Sequence, residues 1–404
     1  MPLKANSGLG NRGIQLFGSG FILSRENARV LGLGTVPDTE NYIREYRNGR
    51  DITDSPRDVL VIDLFGLSAE VVRSRFPAIF QHILTRVKPE RDNNNRGSRR
   101  LNWWIFGEPN KLLRKMLVGL PRYIATPATS KHRFFLFLDS KVLPDDAIVS
   151  LAFDDAFYLG VLGSRAHVVF ALAAGGTLED RPRYNNTLCF DLFPFPTGDE
   201  TAKARIRALG EELDAHRKRV QAQHPGLSLT LMYNVLEALR AGRALSPKEQ
   251  TVHNHGLVSV LRQLHAAVAA AYGWPADLPD DDILTRLVAL NAERAAEEAA
   301  GHIRWLRPAY QDPTGATTQT GLGLVTPDVV PAKSKASKAK EPWPKTLAER
   351  VQVVERTLQS TAVPITAAAL TKRFARADTN GLSEILVTLA MLGRVQQEAG
   401  VYSV

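Results

Sequence analysis

The chain has 404 residues, of which 44% are hydrophobic and 23% charged, and this balance predicts a globular protein of two or three domains. Its single cysteine, Cys189, excludes an intramolecular disulfide framework and favours a reducing compartment. No apolar run approaches the roughly 18 residues of a membrane span, and the start of the chain lacks the apolar stretch of a secretory signal. We therefore expect a soluble, cytoplasmic protein with no membrane association.

The excess positive charge is concentrated in residues 41–135. That segment has 18 Lys or Arg against 9 Asp or Glu, whereas the rest of the chain has 33 of each sign. Basic side chains placed near phosphates release condensed counterions, which gives an affinity that does not depend on sequence. The pattern favours a polyanionic partner, and nucleic acid is the leading interpretation.

Residues 1–40 are rich in Gly, Asn and Ser and have no periodic apolar face, so we expect a lead-in without a fold of its own. Runs of β-branched and aromatic residues bounded by Pro, Asp or Ser then predict strands at 59–65, 123–126, 134–138 and 148–153.

A helix is predicted next. Asp154 or Asp155 can cap its N-terminus, and Gly175-Gly176 can end it in a left-handed conformation. Residues 183–190 are predicted to be extended, and they lead into Phe193-Pro-Phe-Pro196, where each proline disfavours helix at the residue before it.

The second half of the chain is helical in pattern. Leu257, Val260, Leu261 and Leu264 recur at the three- and four-residue spacing of a buried helix face. Residues 313–344 read as a flexible linker because they are polar and end in a run of like charges.

Residues 345–404 read as a small winged helix, with helices at 347–359, 366–374 and 382–392 and a hairpin wing at 394–404. A helix-turn-helix places its later helix in the major groove, yet the third predicted helix has Glu384 and no Lys or Arg. A docking or structural role is therefore favoured over DNA reading by this domain.

Several short motifs resemble catalytic signatures without their context. Gly8-Leu-Gly10-Asn-Arg-Gly13 fits GxGxxG, but no predicted strand leads into it, so a flexible loop is expected. His253-Asn-His255 is expected on a helix surface, and Asp280-Asp-Asp282 is expected to begin a helix. Asp139-Ser-Lys141 is faintly like half of a magnesium nuclease site, but no partner carboxylate is identifiable. No metal site is predicted.

The stretch 89–104 combines arginines and asparagines with Trp103 and Trp104. Arginine offers a forked donor to phosphate or guanine, and asparagine can pair with adenine. We expect DNA contact by the Arg and Asn part, whereas the tryptophans are expected to be core anchors.

A series of motifs, in this order, resembles the target-recognition region of MmeI-like adenine-specific DNA methyltransferases, the single-chain restriction-modification and phage-defence enzymes: Ile43-Arg-Glu-Tyr-Arg-Asn-Gly-Arg-Asp51, Val61-Ile-Asp-Leu-Phe65, Asn102-Trp-Trp104, Pro121-Arg-Tyr-Ile-Ala125, Ser130-Lys-His-Arg133, Leu159-Gly-Val-Leu-Gly-Ser-Arg-Ala-His167, Arg183-Tyr-Asn185 and Phe193-Pro-Phe-Pro196. The C-terminal part of such enzymes is resembled by Tyr233-Asn-Val-Leu-Glu-Ala-Leu-Arg240, Ala271-Tyr-Gly-Trp274 and Ile303-Arg-Trp-Leu-Arg-Pro308.

The resemblance covers roughly residues 3–312 and implies a mixed α/β target-recognition domain at 41–198 and a helical spacer at 199–312. With the small C-terminal winged helix, which the residue pattern alone predicts, the expected fold class is α+β. Residues 1–40 would then be the remnant of a methyltransferase junction. The family methylates adenine N6 with S-adenosylmethionine, using an Asn/Asp-Pro-Pro-aromatic loop for the flipped base. This chain has no Pro-Pro dipeptide, and Asp63-Leu-Phe-Gly66 lacks the further glycine of a cofactor loop. We therefore expect no cofactor here and no activity of this chain alone.

The resemblance also assigns site residues. Residues 163–190 would face DNA, with base edges read by Arg165, His167, Arg181, Arg183 and Asn185. Phosphates would be contacted by Arg44, Arg47, Arg50, Arg91, Arg96, Arg99, Arg100, Lys131 and Arg133.

The leading hypothesis is a double-stranded-DNA recognition subunit that serves a separate methyltransferase chain, and possibly a nuclease chain. A truncated gene product has the same sequence features. The alternatives are a DNA-binding regulator that acts through residues 345–404 and, ranked last, a nuclease that uses Asp139 and Lys141.

Overall fold

The computed structural model describes residues 1–313 and 315, except 180, 225, 248 and 251–256, together with parts of the C-terminal segment. The described residues of that segment are 341–344, 350–351, 353–354, 357–358, 365–371, 374–375, 382–383, 385–386, 389, 395–398 and 401–403. The chain forms two compact units, Met1–Leu322 and Gly323–Val404. The expected boundaries at residues 40 and 198 therefore do not separate compact bodies.

The first unit contains two four-stranded sheets. One is antiparallel throughout, with the spatial order Gly10–Arg12, Ile148–Leu151, Arg122–Pro127 and Leu136–Asp139. The other has the order Ile22–Leu23, Leu60–Ile62, Ile43–Arg47 and Val142–Pro144, and its last pair is parallel.

All four predicted strand regions contain a strand. Tyr123, Ile124 and Ala125 are completely buried, so both faces of the inner strand Arg122–Pro127 are covered. This explains why these apolar residues follow one another without alternation. The fold is α+β.

Residues 1–40 are part of this fold, contrary to the expected lead-in. Gly10–Arg12 pairs with Ile148–Leu151, and Ile22–Leu23 pairs with Leu60–Ile62. Leu9 and Phe21 are completely buried in the main core. The partners are distant in sequence, so the apolar residues of this segment need no local periodicity to be buried.

Helices occupy much of the first unit, and several begin with a side-chain cap of the expected kind. Asp155 accepts a hydrogen bond from the amide of Phe157 at 2.9 Å, and Asp199 accepts one from Ala202 at 2.7 Å. The helices include Arg25–Val30, Thr39–Tyr42, Gly49–Thr53, Ala69–Arg75, Pro77–Arg86, Lys88–Asp92, Gly97–Leu101, Lys111–Leu117, Ala156–Gly163, Arg165–Gly175, Glu200–Gln223, Leu229–Arg240, Leu257–Ala271, Asp280–Ala299 and Pro308–Gln311.

The helix predicted between Asp155 and Gly175-Gly176 begins and ends as expected, but it is broken at Ser164. The backbone of Ser164 is extended, and its hydroxyl donates to the carbonyl of Val161 at 2.7 Å. The two halves are bent by 63°. A second difference is that Asn186–Phe190 forms a single π-helical turn where an extended segment was predicted.

The helical layer packs on this broken helix. Glu200–Gln223 lies against Ala156–Gly163 at very close range, because Gly210 has no side chain where a Cβ would meet the carbonyl oxygen of Ala156 at 2.3 Å. It also packs against Leu257–Ala271, whose predicted face Leu257, Val260, Leu261 and Leu264 is buried. Among the described residues no single helix is long and apolar enough to cross a membrane. Only the two halves of the bent helix at 156–175, counted together, reach that length and apolarity.

The second unit has its own core. Strands Ile365–Thr366, Val401–Ser403 and Gln396–Glu398 form a three-stranded sheet, and the last two pair in the predicted wing region. Helix Ala367–Thr371 lies within the predicted second helix. Residues Leu382, Ile385, Leu386 and Leu389 are helical and buried, as the predicted third helix requires. Glu341–Pro342 pairs with Phe374–Ala375, so the end of the expected linker belongs to this unit.

Candidate nucleic-acid interface

The most exposed part of the region that was predicted to face DNA is a short hairpin, here called hairpin 176–183. It begins where Gly176 ends the preceding helix with φ +69°. Thr177–Leu178 then pairs with Arg181–Pro182 in an antiparallel ladder, and the amide of Arg183 donates to the carbonyl of Gly176 at 3.0 Å. The sequence indicated the ends of this element but not the hairpin itself, because two-residue strands carry no periodic signal.

Arg181 and Arg183 both lie on the exposed surface of hairpin 176–183. The guanidinium of Arg183 has no hydrogen bond or ion pair with any residue that the structure describes. Leu178, on the opposite strand, is 53% exposed. The hairpin thus presents two arginines and an apolar side chain to solvent.

Arg133 lies at the base of the hairpin and is only 5% exposed, so it is not available to phosphate as predicted. Its guanidinium donates to the hydroxyl of Thr126 at 2.8 Å, to the carbonyl of Pro127, and to the carbonyl of Pro182 at 3.2 Å. Burial lowers the pKa of Arg133 to about 10.

His167 is completely buried, which excludes it from base contact in this conformation and corrects the prediction. Its Nε2 lies 3.0 Å from the hydroxyl of Tyr184, and its ring packs edge-on against Phe193. Burial, and secondly the charge of Arg133, lowers its pKa to about 3. The amide of Tyr184 in turn donates to the carbonyl of Ala128 at 2.7 Å. The buried pair of His167 and Tyr184 therefore anchors the residue that follows the hairpin.

The other two predicted base-reading residues make contacts within the protein. Arg165 donates to the carbonyl of Leu278 at 2.6 Å and pairs with Asp280 at 2.5 Å. The side chain of Asn185 accepts from the amide and the hydroxyl of Thr187 and caps the π-helical turn. Both side chains are partly exposed, and a base contact would have to compete with these bonds.

The nine predicted phosphate contacts divide by burial. Arg91 is 0% exposed and Arg99 is 8% exposed. Like Arg133, they are not available to phosphate, so the predicted phosphate contact is wrong for all three. Arg91 donates to the carbonyls of Leu16 and Ile105, and Arg99 pairs with Glu108. These arginines join segments of the fold, because a buried guanidinium needs acceptors, which are backbone carbonyls for Arg91 and a carboxylate for Arg99.

The side chains of Arg44 and Arg47 are mostly buried and already interact with other residues of the protein. Arg44 donates to the carbonyls of Ser140 and Lys141 and lies 3.5 Å from Asp63, while Arg47 lies 3.7 Å from Glu45. The exposed members of the predicted phosphate set are Arg50, Arg96, Arg100 and Lys131.

The tryptophans of the basic stretch are core anchors, as expected. Trp104 donates its indole N–H to the carbonyl of Leu67 at 2.9 Å, and Trp103 packs edge-on against Phe80. Both are partly buried against the main core.

The turn after strand Leu60–Ile62 does not fit S-adenosylmethionine. The carboxylate of Asp63 is held by Arg114 through two bonds of 2.8 Å and by the nearby Arg44, so it is not free to bind a ribose. Gly66, with φ +94°, is followed by Ser68, which caps the helix Ala69–Arg75. The sequence has no second glycine here that would let backbone approach a cofactor.

The remaining motifs have structural roles where the structure describes them. Asp139 accepts from the amide of Lys141 at 2.8 Å, as a turn residue does. Among the described residues no group of three or more His, Cys, Asp or Glu side chains is placed to hold a metal ion. The glycine-rich motif is a strand at Gly10–Arg12 instead of the expected loop, and His253-Asn-His255 lies outside the described residues.

Comparisons with known proteins agree with the resemblance. Residues 9–197 match the family model of the MmeI target recognition domain. Among solved structures, the type IIL restriction-modification enzyme MmeI in complex with DNA is similar in fold, with a TM-score of 0.55 and 18% sequence identity. The match covers 73% of this chain but 36% of that enzyme, so the chain spans little more than a third of its length. No curated protein matches. Residues 9–197 are therefore similar to the target recognition domain of MmeI.

Proposed function

We propose that this chain is the sequence-specific DNA-recognition part of a restriction-modification or phage-defence system. The observation that carries the proposal is the exposure of Arg181 and Arg183 on hairpin 176–183, within the segment that matches a target recognition domain. A two-stranded ribbon fits the major groove of B-form DNA, where arginine pairs bidentately with O6 and N7 of guanine.

In this proposal affinity and specificity come from different residues. Arg181 and Arg183 read base edges, while the exposed Arg50, Arg96, Arg100 and Lys131 contact phosphates and fix the register. Arg165 and Asn185 remain candidates for base contact at the edge of the hairpin. If about six to ten phosphates are engaged in all, affinity falls by about 10³- to 10⁵-fold between 50 and 200 mM salt.

Methyl transfer to adenine N6 is assigned to a separate chain. The sequence has no Pro-Pro dipeptide for the loop that holds a flipped adenine, and the turn at Asp63 does not fit S-adenosylmethionine. The cofactor and the catalytic loop are thus proposed to belong to a methyltransferase partner, with any nuclease also supplied from outside. This chain would be inactive alone.

The test uses the purified full chain. Duplexes are selected from a randomised pool, and the affinity of the best selected duplex is compared with that of a scrambled duplex by fluorescence anisotropy at several salt concentrations. S-adenosylmethionine binding is measured by calorimetry in parallel. Salt-sensitive, selective DNA binding without cofactor binding supports the proposal. Methyl transfer by the chain alone, or equal affinity for every duplex, contradicts it.

A further inference from the structure

We propose that Arg133 is a positioning residue that sets the direction of hairpin 176–183, and thereby the sequence selectivity of the chain. The inference rests on the proposed function, because it assumes that the hairpin carries the base-reading arginines. It assigns to Arg133 a role inside the protein in place of the phosphate contact that its charge suggested.

The guanidinium of Arg133 joins the hairpin to the antiparallel sheet. One nitrogen, Nη1, donates to the Thr126 hydroxyl and the Pro127 carbonyl at the end of strand Arg122–Pro127. The other, Nη2, donates to the carbonyl of Pro182 at 3.2 Å. The planar fork therefore holds two backbone segments at a fixed angle, which the single ammonium of a lysine cannot do.

The carbonyl of Pro182 is where this bond has the most effect. It belongs to the peptide bond between Pro182 and Arg183, and it also accepts from the amide of Ser130 at 3.3 Å. Residues two apart on an extended segment share one face, so the orientation of the backbone at Pro182 decides where Arg181 and Arg183 point together. Without the guanidinium only the amide of Ser130 would hold this carbonyl, so the ribbon could rotate while its two-residue ladder stayed intact.

The cost of the arrangement argues against a purely stabilising role. Among the described residues no carboxylate pairs with Arg133, and burial without such a partner disfavours the charged form. A buried guanidinium that is bonded only to neutral acceptors has a desolvation cost that an apolar residue of similar volume does not have. Arg133 donates to carbonyls of both the sheet and the hairpin. Its burial is therefore better explained by a role in orienting the hairpin than by a contribution to the free energy of unfolding.

Arg217 supplies a matched control in the same core. It is also buried, its pKa is also lowered to about 10 by burial, and it donates to the carbonyl of Phe135 and the hydroxyl of Tyr233. None of these acceptors is in hairpin 176–183. Arg217→Met thus removes a buried guanidinium without touching the carbonyl of Pro182.

The experiment compares Arg133→Met, Arg133→Lys and Arg217→Met in the full chain. The first measurement is hydrogen exchange of peptides that cover residues 176–184. The second is the ratio of affinities for a duplex selected by the wild type and a scrambled duplex. We expect faster exchange in the hairpin and a loss of about tenfold in the ratio for Arg133→Met, the scale of one arginine–guanine pair. Affinity for the scrambled duplex should be unchanged, Arg133→Lys should be intermediate, and Arg217→Met should match the wild type in both measurements.

Unchanged hairpin exchange in both Arg133 variants overturns the inference, as does an equal loss of selectivity in Arg217→Met. Arg133→Lys keeps the charge but not the fork, so it decides the question if Arg133→Met does not fold. A wild type that shows no selectivity refutes the proposed function instead, and hydrogen exchange still reports whether Arg133 positions the hairpin.

Discussion

Gly175 and Arg183 lie in contact through backbone alone. A Cβ at Gly175 would lie 2.1 Å from the carbonyl oxygen of Arg183 and 2.9 Å from the sulfur of Cys189. The last residue of the helix and the last residue of hairpin 176–183 can therefore be this close only while position 175 has no side chain. Position 175 must be glycine for steric reasons, because the end of the hairpin passes against it. Gly176 is required for a different reason, its positive φ.

We expect Gly175→Ala to displace the return strand of the hairpin. The added methyl group forces a backbone shift that costs about 1–3 kcal/mol of unfolding free energy, and it weakens selective DNA binding through the hairpin. Gly226→Ala is the control, because nothing lies within 4 Å of a Cβ at Gly226. Chemical unfolding and the selectivity ratio measure the two effects. Wild-type selectivity in Gly175→Ala would show that the hairpin does not read the site.

Arg181→Ala and Arg183→Ala are each expected to lower selectivity without lowering stability. Both side chains are exposed, so the fold loses little, whereas each lost arginine–guanine pair costs about 1–3 kcal/mol of discrimination. Selection from the randomised pool should show relaxed preference at one position for each variant. The control is Arg29→Ala, another exposed arginine, in the helix Arg25–Val30. Unchanged preference in both hairpin variants would assign base reading to other residues.

The parts of the fold that the sequence predicted are those set by neighbouring residues. Strands followed the β-branched runs, and the helix that starts at Asp155 was marked by its cap and by Gly175-Gly176. The break at Ser164 was not predicted, because no residue pattern marks it. The two halves pack mainly on different neighbours, Glu200–Gln223 for the first and Asp280–Ala299 for the second. The place of residues 1–40 was also hidden, since their strands pair with residues about 40 to 140 positions away.

The site was harder to predict, because the charged arginine side chains were all assumed to be exposed to solvent. Arginine is rarely fully buried, so Arg91, Arg99 and Arg133 were assigned to phosphate together with their exposed neighbours. What buries them is a set of carbonyls and carboxylates from other segments, such as Leu16 for Arg91 and Pro182 for Arg133. No local pattern reports such acceptors. The exposed arginines of the hairpin, by contrast, were identified by resemblance.

Arg50→Ala is expected to weaken binding to selected and scrambled duplexes alike. The Arg50 side chain is exposed and its guanidinium has no partner among the described residues, so a phosphate contact is its proposed role. Loss of one phosphate contact reduces the slope of log affinity against log salt by about 0.9. Anisotropy titrations over a salt series measure this slope. A changed selectivity with an unchanged slope would instead place Arg50 at a base edge.

The stability of the chain should fall as the pH falls below the range in which a free imidazole titrates. Burial lowers the pKa of His167 to about 3, against about 6.5 in the unfolded chain. Between these values only the unfolded chain binds the proton, so His167 contributes a loss of about 1.4 kcal/mol of unfolding free energy per pH unit.

His167→Gln removes this contribution, and its unfolding free energy should fall less steeply than that of the wild type between about pH 6.5 and 5. Urea unfolding followed by tryptophan fluorescence measures both slopes. His302→Gln, which removes an exposed imidazole, is the control. Parallel slopes for His167→Gln and the wild type would mean that His167 is accessible to protons in the folded state.

Removal of the second compact unit distinguishes a recognition subunit from a regulator that acts through its C-terminal domain. The cut is best placed after Leu322, because strand Glu341–Pro342 pairs within the second unit and a cut at 344 would leave it unpaired. Hairpin 176–183 and the four residues proposed to contact phosphate, Arg50, Arg96, Arg100 and Lys131, all lie before the cut. We therefore expect the truncated chain to keep the selectivity of the full chain within about twofold, as independent sites do. Loss of selective binding with the first unit still folded would transfer base reading to the second unit, whose buried helix residues Leu382, Ile385, Leu386 and Leu389 would then support a reading surface.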